Sequence, residues 1–386
     1  MVKGTSILRV RNEKRVLSYL RLHRFSTRQQ LVDELGLGKN TISLIIEQFL
    51  KQGIVTETGI EQSSVGRPRI EVSLVPNKYQ AIGVLIRDAS YEILVTDYAG
   101  TVLDWEEVNL NARDATLCLQ AVAEHCIRIR KKNSGVLGVG IAIPGLVDPD
   151  QGYVHSSTHL GWNNVPVADI LRQTLGDVPV QVFNRVKAAA FSPVNVVPEE
   201  ANSTFYLRID EGVGGAMVMG AEIIQGASGT AGEIGHISVD PKGPLCGCGK
   251  RGCLETLVSL PAIVKSVQKK VPDQTIADIS FDEIRRGPSP IRQAWKKTMV
   301  EVGTYLGYAL AGVVNLFNPQ YMVIDCSYHN DEDFQISLKD ALRMYALSHP
   351  LRATSLVFES LKHSSALGMA KAVILHFENE VDGHEF

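Results

Sequence analysis

With 386 residues, 45% hydrophobic and 21% charged, the chain can bury one large core or two or three ordinary ones and reads as globular and multi-domain. Three of its six cysteines crowd into 246–253 and the others sit alone in apolar surroundings, which excludes a disulfide framework. No stretch approaches the roughly 18 uninterrupted apolar residues of a membrane span, and the basic, polar N-terminus lacks a signal peptide's apolar core, so a cytoplasmic protein with no membrane insertion is expected.

The net charge is only −3, but it is unevenly placed. Residues 1–76 hold twelve Lys/Arg and seven Asp/Glu, a net +5, whereas the remainder holds 27 and 35, a net −8. A basic head on an acidic body fits a DNA-binding module joined to something that does not bind DNA.

Within the head, Val16, Leu17 and Leu20 share one face of a short helix over 12–23. Ser26 and Gln29 have the spacing of a capping box and predict a second helix, which carries Leu31, Val32 and Leu35 inward and stops at Gly36, a residue free to take positive φ. A third helix is expected over 39–52, with Ile42, Ile45, Ile46, Phe49 and Leu50 as its apolar stripe. Its N-terminal end offers Lys39, Asn40, Thr41 and Ser43, small polar and basic side chains of the kind that reach base edges and phosphates in a major groove. Arg28, at the start of the second helix, joins this candidate DNA surface. Two β-prone runs, 54–57 and 70–74, then flank the tip Gly66-Arg67-Pro68-Arg69, and Arg67 and Arg69 suit a phosphate backbone or a minor groove. A winged helix-turn-helix over 1–76 follows, with 75–77 as the junction.

From residue 81 the pattern becomes strands alternating with helices. Strands are expected at 82–86, 93–97, 101–107, 138–143, 180–183, 204–209 and 213–219, with a helix over 115–131, giving an α/β body over 77–386. Its sharpest local signal is His236, ten residues before Cys246-Gly247-Cys248, with Cys253 after four more. One imidazole and three thiolates at these spacings can close a tetrahedral structural zinc site in a glycine-rich loop over 232–255. A redox cluster and incidental thiols are the competing readings.

The string GASGTAGEIGHISV (226–239), followed by CGCGKRGCLE (246–255), closely resembles the signature of the ROK family (repressor, open reading frame, kinase), and the likeness extends over nearly the whole chain. The resemblance implies a two-lobed actin-like ATPase fold of the sugar-kinase kind, preceded in the family's repressors by a winged helix. It implies that His236, Cys246, Cys248 and Cys253 hold Zn2+, and that Asn184, Glu233, His236 and Glu255 contact a sugar. One His236 nitrogen can bind metal while the other faces the sugar.

The kinase chemistry of that family departs at four places. Its base is the Asp of an Asn-Asp pair, and here the pair is Asn184-Arg185; arginine cannot act as a base at neutral pH. The first phosphate loop, Asp-x-Gly-Gly-Thr, aligns with Leu85, Ile86, Arg87, Asp88 and Ala89. The second, Gly-Thr-Gly, is Asp210-Glu211-Gly212, and a later Gly-Gly is Asp325-Cys326. The expectation is a chain that is not an enzyme: a repressor of carbohydrate-utilisation genes, bound to a double-stranded DNA operator and answering to a sugar or sugar derivative. Arg185 in the pocket suits an anionic ligand, or an internal ion pair with Glu233 or another acid, or a site that has lost its ligand. Trp162 is a candidate stacking platform or core packing. Two-fold operators suggest a homodimer or dimer of dimers, and a protein partner in place of the sugar is the alternative signal.

Overall fold

The computed structural model describes residues 4–61, 69–192, 196–198, 201–220, 222–273 and 287–379. Two compact units emerge: Met1–Ser192 with Ser365–Phe386, and Pro193–Ser364.

The first unit opens with α1 (Gly4–His23), β1 (Phe25–Thr27), α2 (Arg28–Leu35), α3 (Lys39–Lys51), β2 (Val55–Glu61) and β3 (Arg69–Leu74). The three strands form an antiparallel sheet in the order β1-β3-β2. Helix α1 begins eight residues before the predicted start. The capping box is present but shifted by one residue. Thr27 Oγ1 accepts the Gln30 amide at 3.3 Å, and Gln30 Oε1 accepts the Thr27 amide at 2.7 Å. Ser26 sits inside β1, paired with Val72 of β3, and the strand's last residue caps the helix. Gly36 closes α2 at φ 64°, as its place in the sequence required. Ile42, Ile45, Ile46 and Phe49 are buried along α3.

The body of this unit is a five-stranded sheet, order β11-β7-β4-β5-β6, built from β4 (Gln80–Ile86), β5 (Ser90–Asp97), β6 (Val102–Asn109), β7 (Val136–Ile143) and β11 (Val180–Asn184). Helices α4 (Ala115–Lys132) and α5 (Val167–Leu175) contribute to its core. Asp114 caps α4 through the Leu117 amide, and Arg130, Lys131 and Lys132 complement the dipole at its other end. A small sheet of β8 (Leu146–Asp148), β9 (Tyr153–Ser157) and β10 (Trp162–Val165), and helix α6 (Arg185–Ala189), complete the part before residue 193. The chain returns to this unit in its last helix, Ser364–Asn379.

The core of the opening helices is continuous with that of the body. Val16, Leu17, Leu20, Leu31, Ile46 and Phe49 belong to one apolar cluster with Leu85, Leu94, Tyr98, Met369, Val373 and Ile374. A buried ion pair reinforces it: Arg21 Nε and Nη2 lie 2.7 and 3.1 Å from the Glu378 carboxylate, which also accepts Tyr98 Oη at 2.8 Å.

The second unit repeats the plan of the first sheet. Its strands are β12 (Ser203–Ile209), β13 (Val213–Met219), β14 (Glu222–Ile223), β15 (Tyr321–Cys326) and β16 (Ser355–Glu359), in the order β14-β13-β12-β15-β16. In both sheets three antiparallel strands precede two that continue in parallel. Helices α7 (Glu255–Val258), α8 (Leu260–Lys270) and α9 (Ser289–Phe317) fall between β14 and β15 in sequence, and α10 (Glu332–Tyr345) and α11 (Ser348–Ala353) between β15 and β16; the helix at 364–379 is α12. Helix α9 is long and apolar enough by length and composition to cross a membrane, which the broken apolar runs of the sequence had not suggested. It is nevertheless a core helix, with Met299, Val302, Leu306, Leu310 and Val314 buried in the unit's main cluster.

Candidate functional site

The sharpest local geometry lies in the second unit after β13. A single 3-10 turn, Ile234–His236, presents the imidazole, and the following loop folds back through bridges between Ser238 and Cys253 and between Leu245 and Arg251. Gly252 is required at the closure: it sits at φ 65°, and a Cβ there would come within 1.5 Å of the Asp240 carbonyl oxygen. The Lys250 carbonyl accepts the Cys246 amide at 2.8 Å and the Cys246 carbonyl accepts the Gly249 amide at 2.9 Å, so the cysteine loop is a tight turn.

His236, Cys246, Cys248 and Cys253 each offer one ligand atom, and the four atoms all lie within 4.8 Å of one another. His236 Nδ1 is 3.6 Å from Cys246 Sγ, and Cys248 Sγ is 3.6 Å from Cys253 Sγ. Tetrahedral zinc, with bonds of about 2.3 Å to sulfur and about 2.0 Å to nitrogen, needs S···S edges of about 3.8 Å and S···N edges of about 3.5 Å. The residues therefore fit a zinc-sized tetrahedral ion. None of the six cysteines is in a disulfide. Hydrogen bonding from the Lys250 backbone pulls the Cys248 thiol down to about 7, whereas burial pushes Cys253 up to about 12. Three thiolates in contact repel, so a cation is what would allow all of them to ionise.

Because Nδ1 faces the thiols, the other ring nitrogen is left for a different partner. His236 Nε2 lies 3.9 Å from Glu233 Oε2, and Glu233 is exposed. Glu255 opens α7, and its Oε2 accepts the Val213 amide at 3.1 Å, which fixes that oxygen. Glu233 and His236 thus flank the 3-10 turn at one end of the cysteine loop, and Glu255 follows Cys253 at its other end.

Asn184 and Arg185 belong to the first unit. Asn184 Oδ1 accepts the Val186 amide at 2.8 Å and Nδ2 donates to the Gly145 carbonyl at 2.7 Å, so this side chain caps α6 and pins the loop after β7. Arg185 is half-buried at the first position of α6, and its carbonyl accepts Ser365 Oγ at 2.9 Å. Trp162 is 2% exposed and donates Nε1–H to the Ala112 carbonyl at 2.7 Å. It is core packing, so the stacking role open in the sequence is withdrawn.

At the positions that the resemblance aligns with phosphate loops, charges are paired internally. Arg87 binds Glu92 at 2.8 Å and Glu107 at 3.0 Å across the β4–β5–β6 hairpins. In the second unit Arg208 reaches Ser364 Oγ at 2.6 Å, Asp210 at 3.5 Å and Asp325 at 3.8 Å. Buried Asp325 also accepts Tyr206 Oη and the Leu361 amide. Burial raises the Tyr206 phenol far above its usual range, so it stays a donor to that carboxylate. Asp210 thus shares the Arg208 guanidinium with Asp325.

On the head, Lys39 and Asn40 are exposed and Thr41 and Ser43 partly exposed at the start of α3. Arg28 pairs with Glu57 of β2 at 3.3 Å. Arg69 begins β3, and Arg67 lies outside the described residues. One exposed residue of α3 was not singled out in the sequence: Leu44, 67% exposed. Its signal was an apolar residue off the helix's buried stripe.

The ROK family model matches residues 82–375. The chain belongs to the ROK family. It is 28% identical over 377 residues to the xylose repressor of Bacillus spizizenii, covering 95% of each chain. It is 27% identical over 356 residues to the DNA-binding transcriptional dual regulator NagC of Escherichia coli, covering 89% of this chain and 87% of the relative. A crystal structure of a ROK family transcriptional regulator, homologous to the E. coli MLC protein, superposes with a TM-score of 0.81 over 96% of this chain and 97% of that one at 23% identity. The last comparison establishes the fold, and the ROK match spans most of both units described above.

Proposed function

We propose that this ROK protein is a DNA-binding transcriptional repressor of carbohydrate-utilisation genes, modulated by a sugar or sugar derivative held in a kinase-like body that no longer transfers phosphate. The observation that carries the reading is selective retention. The cluster of His236 with its three cysteines, Glu233 and Glu255 keep the geometry of a metal-braced acceptor set, while Arg185 occupies the base position and Arg208 ties up Asp210 and Asp325. Its similarity to a xylose repressor and to the transcriptional dual regulator NagC supports a regulator over a kinase.

In this reading residues 1–76 are a winged helix-turn-helix and 77–386 the effector body. Arg28, Lys39, Asn40, Thr41, Ser43, Arg67 and Arg69 meet DNA; Asn184, Arg185, Glu233, His236 and Glu255 meet the effector. His236, Cys246, Cys248 and Cys253 would hold Zn2+, which would supply a structural cross-link there; His236 keeps Nδ1 toward the thiols and Nε2 toward Glu233. Six free thiols suit a reducing cytoplasm. A homodimer or dimer of dimers is supported by the exposed Tyr308, Leu316 and Phe317 of α9 and Met344 and Tyr345 of α10, with Tyr308 and Tyr345 stacked edge-on at 5.1 Å. The effector changes operator affinity to the extent that it binds the DNA-competent and DNA-incompetent states differently.

The experiment is a thermal-shift panel of neutral sugars, sugar phosphates and sugar acids on the metal-loaded protein, followed by operator binding with each hit. A hit that stabilises the protein and weakens DNA binding is the expected result. No stabilisation by any sugar, with a protein partner releasing DNA instead, overturns it.

A further inference from the structure

We infer that Leu44 reads a thymine methyl group in the major groove, making it a specificity residue of the operator contact; this rests on the DNA-binding reading above. Along α3 the buried stripe is Ile42, Ile45, Ile46 and Phe49, each at most 4% exposed, whereas Leu44 is 67% exposed. A single exposed leucine is ordinary on a protein surface. Its company is what gives this one meaning. At 3.6 residues per turn Leu44 lies about 40° around the helix from Asn40, one turn nearer the C-terminus and opposite the buried stripe. Asn40 and Thr41 one turn before it and Glu47 and Gln48 one turn after it, all at least partly exposed, flank it, and the described exposed face of α3 is otherwise polar.

A face of that composition at the N-terminal half of a recognition helix meets base edges. Leucine has no donor or acceptor, so it contributes nothing to a phosphate contact or to the hydrogen-bond pattern of guanine, cytosine or adenine. The thymine C5-methyl is the apolar group that the major groove presents. Asn40 carries the complementary code, because its carboxamide matches the N6 and N7 edge of adenine. Four residues of helix rise about 6 Å. With base pairs about 3.4 Å apart, the adenine facing Asn40 and the thymine facing Leu44 lie about two steps apart in each half-site. Burying one methyl against Leu44 corresponds to about a fourfold gain in affinity per half-site.

The test uses the full-length, metal-loaded protein and duplexes selected from a random pool. Each thymine of the selected site is replaced in turn by deoxyuridine, which removes the methyl and keeps the base pair. Wild-type protein, Leu44→Ala and Leu44→Gln are compared, with circular dichroism to confirm folded helix. The expected result is one thymine per half-site whose replacement costs wild-type protein about fourfold, with both variants binding the thymine and deoxyuridine duplexes equally. If no replacement weakens wild-type binding, or if the variants keep the wild-type ratio, the assignment to Leu44 is wrong while the DNA-binding reading stands. Failure to select any duplex overturns both.

Discussion

Replacing Arg21 by Met isolates the contact that joins α1 to α12. The guanidinium and the Glu378 carboxylate make two hydrogen bonds, at 2.7 and 3.1 Å, with side chains only 6% and 7% exposed. Solvent screening is therefore slight. Removing the arginine leaves a buried carboxylate, a change that costs about 3–5 kcal/mol when nothing else compensates. Tyr98 still donates to Glu378 at 2.8 Å, and burial holds its phenol well above the usual range, so it remains a neutral donor. That one retained hydrogen bond puts the expected loss near the lower end, about 3 kcal/mol. Urea unfolding of Arg21→Met, Glu378→Leu and the double variant gives the coupling directly. The double variant, with apolar groups in both places, should return to within about 1 kcal/mol of wild type, because the desolvation cost of the pair vanishes with its attraction. Hydrogen exchange in α1 and α12 should rise together in the single variants. A loss below about 1 kcal/mol for Arg21→Met, or a double variant no better than the sum of the singles, would refute the buried-pair reasoning.

Chelation at neutral pH should release one Zn2+ per chain and lower Tm, and Cys253→Ser should do the same without chelator; native Tm in a metal-free protein would dismiss the cluster as a structural site. Burial foremost, then Arg128, lowers the pKa of His125 below its ordinary 6.5; Tyr91, Glu106, Asp104 and Lys132 also face it. The unfolded chain therefore takes up the proton first, and stability present above about pH 6.5 is lost as pH falls through the folded value. His125→Gln should flatten that decline in unfolding curves taken between about pH 7.5 and about pH 5, and an unchanged slope counts against it. Arg185→Asp restores a carboxylate at the base position, yet no ATP turnover is expected, because Arg87 and Arg208 remain locked to their acids. Measurable sugar phosphorylation by that variant would show that the phosphate loops still work.

Much of the site was legible because its chemistry is local. His236, Cys246, Cys248 and Cys253 lie within 18 positions, and Gly252 can close only one kind of loop around them. Helix α3 was readable for the same reason, since a 3.6-residue stripe needs no distant partner to be recognised. The capping box slipped by one residue because β1 is a three-residue strand, and nothing in Phe25-Ser26-Thr27 announces pairing with Val72 across 46 positions. Trp162 was ambiguous because an indole looks the same in a wall and in a core until its N–H partner, Ala112, is known.

Taken alone, the amino-acid sequence carried the α/β class, most strands of the two large sheets, the His/Cys3 residues of a candidate metal cluster and an arginine after Asn184, since each depends on residue identity at short spacing. Tertiary structure decided what those residues face. It paired Arg208 with Asp210 and Asp325, turned His236 Nε2 toward Glu233, left Leu44 in solvent, and merged the head's core with α12 through Arg21 and Glu378, 357 positions apart. The physical reason is that burial and pairing of a charge depend on which distant segment covers it, and that is fixed only when the whole chain closes its cores.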